Sequence, residues 1–197
     1  MKSAIFRSQP RGFTLIELLI VVAIISILAV VVVVVLNPAE VLRLARDSNR
    51  HQHLFIINRA LRLQQVDQAD AYLGNPMTVY VSLHDVNSDC SSHPSLPALP
   101  MGWSYQCSTE SNYRNDDGTG WVPVDFALTS FQPLFSTLPI DPINDPVTGN
   151  YYTYVTSGSD WEINGVLTSD RYQVDMANDG GDDDAVMEVG TNLNLVP

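Results

Sequence analysis

Beyond residue 63 the chain has almost no positive charge. Only Arg114 and Arg171 stand there against 19 acidic residues, a local formal charge of −17 in a chain whose total is −12. A surface of that sign repels nucleic-acid phosphates and anionic lipid, so no direct nucleic-acid partner is expected. Cysteine is nearly as scarce, with two residues and no C-x-x-C, which removes a zinc ribbon or a dithiol redox centre. G-x-S-x-G, H-E-x-x-H, the Walker loop and the dinucleotide fingerprint are all missing, and none of the four histidines stands beside a plausible nucleophile. The chain therefore does not read as an enzyme.

What it does have is one long apolar run. From residue 13 to residue 36 the only ionisable side chain is Glu17. About 20 apolar residues cross the roughly 30 Å hydrocarbon core of a bilayer as a helix. In a water-soluble fold this run would need burial on every side, and the rest of the chain is too short and too acidic to surround it. Lys2, Arg7 and Arg11 precede the run with no acid among them. That bias keeps the N-terminus in the cytoplasm and exports the residues C-terminal to the span. An ordinary secretory signal fits worse, because its cut would come after the apolar core. In an oxidising exterior the even cysteine count makes a Cys90–Cys107 disulfide the default, worth roughly 3 kcal/mol in the loop-entropy treatment, the alternative being two separate buried thiols.

Glu17 is the unusual feature of the span. A carboxylate there costs on the order of 2 kcal/mol or more to insert, and such groups usually have a partner. It can lie near enough to the cytoplasmic face to stay hydrated. Alternatively, a cut between Gly12 and Phe13 creates an α-amine one helical turn before it, able to meet the carboxylate in the same chain or in a neighbouring copy. A short basic leader ending Arg11-Gly12, followed by F-T-L-I-E-L-L-I-V-V-A-I-I-S-I-L-A, resembles the N-terminus of type IV pilins and type II secretion pseudopilins. The resemblance implies cleavage after Gly12 by a prepilin peptidase, N-methylation of Phe13 and an assembly role for Glu17. It is firm over about the first fifth of the chain.

Past the span, Asn37 and Pro38 break the helix, since proline withholds an amide and disfavours helical geometry in the residue before it. The same residues read as the cap and first position of a new helix, so a hinge is expected there. Residues 37–70 look amphipathic. Leu54, Ile57 and Leu61 recur at helical spacing, with Arg43, Arg46, Arg50, Arg59 and Arg62 on other faces. The run A-R-D-S-N-R, residues 45–50, resembles the segment after the span in many pilins. His51 and His53 point to different sides of a helix and read as solvated.

Residues 71–197 look β-rich and irregular. A short strand or loop edge is expected at 78–83, a further alternating stretch at 103–107 and a short strand or turn at 122–128, with a Ser/Pro-rich connector over 88–100. Residues 114–120 form a turn-rich loop. The prolines of 138–149, with Asp141 and Asp145 each before one, demand an ordered turn system leading into a strand at 150–156, a turn at 157–160 and a strand at 161–167. The arrangement P-x-D-P, then Gly149, then Tyr152 and Tyr154 resembles major pseudopilins, which often bind calcium nearby. Residues 186–189 and 192–195 are expected to close the sheet. The acidic run Asp175, Asn178, Asp179, Asp182, Asp183 and Asp184 offers hard oxygen ligands for calcium, the alternative being a plain solvated turn. It is no EF-hand, because Ala177 and Val186 fall where that loop needs ligands.

The expected fold is α+β and pilin-like: a leader at 1–12, a membrane helix at 13–36, its amphipathic continuation at 37–70, and an exported head at 71–197. The long helix, its first half transmembrane, should pack on a small antiparallel sheet of three or four strands with irregular loops. The resemblance implies a single-pass inner-membrane protein polymerised into a periplasmic or cell-surface filament. Its partners would be copies of itself, minor pilins or pseudopilins, prepilin peptidase and an inner-membrane assembly platform, with no required cofactor. The competing expectation is a membrane-anchored binding module that never polymerises, its acidic loops holding calcium or an extracellular ligand.

Overall fold

A computed structural model describes residues 12–68, 70–128 and 135–196. The leader residues Lys2, Arg7 and Arg11 lie outside them. The chain divides between Val41 and Leu42 into two compact units, Met1–Val41 and Leu42–Pro197.

The first unit holds helix α1, Leu15–Leu36. Thr14 caps it: its hydroxyl accepts from the Glu17 amide at 3.3 Å, while the Glu17 carboxylate accepts from the Thr14 amide at 2.9 Å. This reciprocal box satisfies two amides that a helix start otherwise leaves open. The single hydroxyl deep in the run, Ser26, donates back to the Val22 carbonyl at 2.7 Å, so it adds no unpaired donor. Asn37 ends α1 in the left-handed region at φ 38°, and its carbonyl accepts from the Glu40 and Val41 amides. Helix α2, Pro38–Asp67, starts at the next residue, with proline where a missing amide costs nothing.

The second unit contains most of α2 and a five-stranded sheet. In chain order the strands are β1 (Thr78–His84), β2 (Ser104–Ser108), β3 (Tyr152–Thr156), β4 (Trp161–Gly165) and β5 (Met187–Gly190). Their spatial order is β2-β1-β3-β4-β5. All pairs are antiparallel except β1 with β2, which run parallel. The α+β architecture is as expected, with five strands rather than three or four and one parallel pair. Residues 122–128 form a 3-10 turn at Phe126–Leu128 instead of a strand, and residues 192–195 join no strand. A seven-residue helix, α3 (Asp170–Met176), comes after β4.

Two apolar clusters cover the two faces of the sheet. On one, Leu54, Ile57 and Leu61 of α2 pack with Tyr152, Tyr154 and Ile163. Each of those α2 side chains is fully buried and contributes roughly 1.5–3 kcal/mol by leaving water. On the other face Val79, Val81 and Val155 pack with Cys90 and Cys107, which form a disulfide across a separation of 17 residues. The Ser/Pro-rich connector is thereby held against the β1–β2 edge.

Candidate functional site

The residues singled out in the sequence fall into three groups. The first lies in the N-terminal unit. Gly12 is exposed, and a Cβ built there would meet nothing within 4 Å. Phe13 is 83 % exposed. Every side chain from residue 13 to 35 is exposed, and Leu15–Val35 is long and apolar enough to cross a membrane. Glu17 Oε2 accepts from both the amide and the hydroxyl of Thr14, at 2.9 and 2.8 Å. Its Oε1 takes no hydrogen bond among the described residues.

The second group is a buried ionic cluster that sequence reading misplaced. Arg50, expected on a face other than that of Leu54, Ile57 and Leu61, is fully buried. Its guanidinium forks onto Asp141, with Nε to Oδ2 at 2.6 Å and Nη2 to Oδ1 at 3.1 Å. Nη2 also reaches Asn150 Oδ1 at 2.7 Å, and Nη1 reaches Asp47 Oδ1 at 2.6 Å and Thr168 Oγ1 at 3.2 Å. All five N–H groups are satisfied, which is what a buried charge requires. Asp47 turns its other oxygen to the amides of Thr168 and Ser169 at 2.8 and 2.6 Å. Burial alone would raise the Asp47 carboxyl; the bonds from Ser169, Arg50 and Thr168 outweigh it and hold the group below its ordinary range. Asp141 receives the Ile143 amide at 2.7 Å and the Asn144 amide at 3.2 Å, which orders the proline-rich turn. The cluster thus fastens α2 to two loops far along the chain. His53, also expected to be solvated, is only partly exposed and meets the Tyr152 hydroxyl at 3.0 Å.

The third group is the acidic tail. Asp179 accepts from the Gly181 amide at 2.9 Å and the Glu188 amide at 2.7 Å, and Asp183 from the Ala185 amide at 2.9 Å. Asn178 donates to the Val174 carbonyl at 2.6 Å. Asp175, Asp182, Asp183 and Asp184 are exposed. No three His, Cys, Asp or Glu side chains among the described residues are grouped so as to hold a metal. Asp179 and Asp183 thus hold the turn in place through backbone amides, Asp179 also reaching the Glu188 amide of β5.

Two acids not singled out lie beside this tail. Glu162 and Glu188, on β4 and β5, are 0 and 3 % exposed. Glu162 accepts from Asn164 Nδ2 at 2.7 Å and from the Leu195 and Val196 amides at 2.6 and 3.2 Å. Glu188 has one amide donor, Asp183, at 3.1 Å. Burial, with the neighbouring Glu162 and Asp179 charges, pushes its carboxyl up to about 7. Neither acid interrupts the alternation of its strand, so only tertiary contact identifies the pair.

Among known proteins, residues 7–33 match the family model of the prokaryotic N-terminal methylation motif. No curated protein and no solved structure matches the chain.

Proposed function

We propose, from the premise that this chain is a type IV pilin/pseudopilin-like prepilin, that it is a structural subunit of a type IV pilus or a type II secretion pseudopilus. The observation that carries the reading is the coincidence of the methylation motif with a capped, wholly exposed apolar helix that finds no cover in its own unit. Before assembly the bilayer covers α1. After cleavage between Gly12 and Phe13, copies of α1 cover one another.

Within such a bundle, hydrophobic and dispersion contacts supply affinity but little register, since apolar side chains slide past one another at low cost. Glu17 supplies the register. Its Oε2 is held by Thr14, which aims the carboxylate, and Oε1 is left to accept the new α-amine of a neighbour. An unpaired carboxylate in hydrocarbon costs on the order of 2–3 kcal/mol, and only one axial step pairs it. Glu17→Ala should leave cleavage near normal and abolish or strongly reduce sheared filaments. Normal filament yield from that variant would remove the pairing role. An anchored module that never polymerises and holds calcium in its tail predicts no sheared filaments from the wild type in any condition.

A further inference from the structure

Processing and anchoring leave two surfaces of the head unused, and they lie on opposite sides of it. On the sheet face away from α2, Val79, Leu99, Tyr105 and Tyr151 wall a cavity of about 300 Å³. A smaller cavity of about 150 Å³ adjoins it, sharing Asn164, Asp183 and Val196 and bounded also by Asp182 and Glu188. The side-chain polar groups at that end are mostly acceptors: the Asp182, Asp183 and Glu188 carboxyl groups and the Asn164 amide oxygen. Asn164 is 7 % exposed, and its Oδ1, buried, receives no hydrogen bond, because the amide is turned so that Nδ2 serves Glu162. A buried oxygen left this way costs about 1–3 kcal/mol. No ion pair reaches Glu162 or Glu188 among the described residues.

A pocket end so rich in acceptors asks for a ligand that donates. A metal ion fits poorly, because among the described residues no three His, Cys, Asp or Glu side chains are grouped so as to hold one, and the larger cavity is mostly apolar. A guanidinium on an aliphatic stem fits both parts. Its fixed fork of donors matches the oxygens, and its stem and planar head suit a channel walled by two tyrosines.

The chain presents such a group on its other side. Leu54, Ile57 and Leu61 turn one face of α2 to the sheet, so Phe55 and Arg59, one helical turn apart, face outward. Arg59 is exposed and has no partner among the described residues, and Phe55 is 44 % exposed beside it, over a shallow hollow that His51 and Gln52 share. We propose that Arg59 of one copy enters the Tyr105/Tyr151 cavity of a second copy and donates to Asn164 Oδ1 and to the Asp183 and Glu188 carboxylates. The occupant is a second copy because a cationic knob and an anionic hole of matching make-up stand on this same chain. The two surfaces differ, so the contact does not close on itself, and repetition gives an open row of heads. The inference rests on the filament reading for its setting, and it supplies a head contact that α1 bundling does not.

The test uses the full-length chain. Gln52→Cys and Ala98→Cys, both exposed and flanking knob and cavity, are expressed together as separate chains and treated with a short bismaleimide in sheared filaments and in membranes. A mixed dimer joining Cys at 52 to Cys at 98 is expected, lost at least tenfold with Arg59→Glu and retained in part with Arg59→Lys. Absence of the dimer from both preparations, or a yield unmoved by Arg59→Glu, overturns the contact. Wild-type filament yield, scored separately, reports on the filament reading itself, and a dimer found only in membranes of chains that never polymerise supports the contact without it. Calcium added to the detergent-solubilised chain should leave Tm unchanged; a rise that Glu188→Gln abolishes assigns the acceptor end to a metal and overturns the proposal.

Discussion

The two helices that meet at Asn37 are built on opposite principles. α1 has 22 residues, no polar face and no buried side chain among those described. α2 has 30 residues and a continuous buried stripe of Asp47, Arg50, Leu54, Ile57, Leu61 and Gln64, at the three- and four-residue spacing of one helical face. The stability of α2 therefore lies within its own chain, whereas α1 needs lipid or other copies around it. On the proposed filament reading, this division gives a head that folds once and stays folded, and an anchor that exchanges one apolar surrounding for another.

The comparison is broken hardest at Arg50. Arg50→Ala leaves Asp47 and Asp141 buried without their cation, and should cost about 3–5 kcal/mol of head stability, read by thermal unfolding in detergent, with membrane insertion unchanged. Next comes a matched pair of truncations. Ile57→Ala should cost about 2–5 kcal/mol, while Val31→Ala, the same kind of deletion on α1, should leave head unfolding within about 0.5 kcal/mol of wild type. Equal losses at the two positions would erase the distinction between the helices. Replacing Cys90 and Cys107 by serine should lower head stability by about 2–4 kcal/mol with α1 again indifferent. The smallest effect is in pH. Because the folded Glu188 pKa, about 7, lies above that of an unfolded glutamate, the native state binds the extra proton. Its contribution is present below the unfolded pKa and is lost as pH rises through about 7. Asp47 works the other way, its contribution present above the unfolded aspartate pKa and lost as pH falls through its depressed folded pKa. Glu188→Gln should flatten the decline toward pH 7 and leave the acid limb unchanged, as measured by chemical denaturation at several pH values.

α1 is readable from the chain because its information is one-dimensional: length, hydropathy, one acid and a leader of one sign. The disulfide is readable for a similar reason, since a chain with only two cysteines offers one pairing. Arg50 escapes such reading because a charge ordinarily marks solvent, although its spacing from Leu54 and Ile57 already places it on the buried face. Its main partner, Asp141, lies 91 residues away, and no local pattern links them. The parallel pairing of β1 with β2 is equally non-local, set by how the 88–100 connector returns to the sheet. Residues 192–195 show why a strand-like segment can stay outside a sheet: the Glu162 carboxylate takes the Leu195 and Val196 amides that a ladder would have used. α3, at seven residues, is too short for periodicity to announce it.

The central claim is that α1 is trimmed at its cytoplasmic end and then passes from lipid to other copies of itself. The mass of the N-terminal peptide of the cell-purified chain tests it most directly. The account predicts a peptide beginning at Phe13 and heavier by one methyl group; a peptide that retains residues 1–12, from material that runs as a single membrane-bound species, would contradict it.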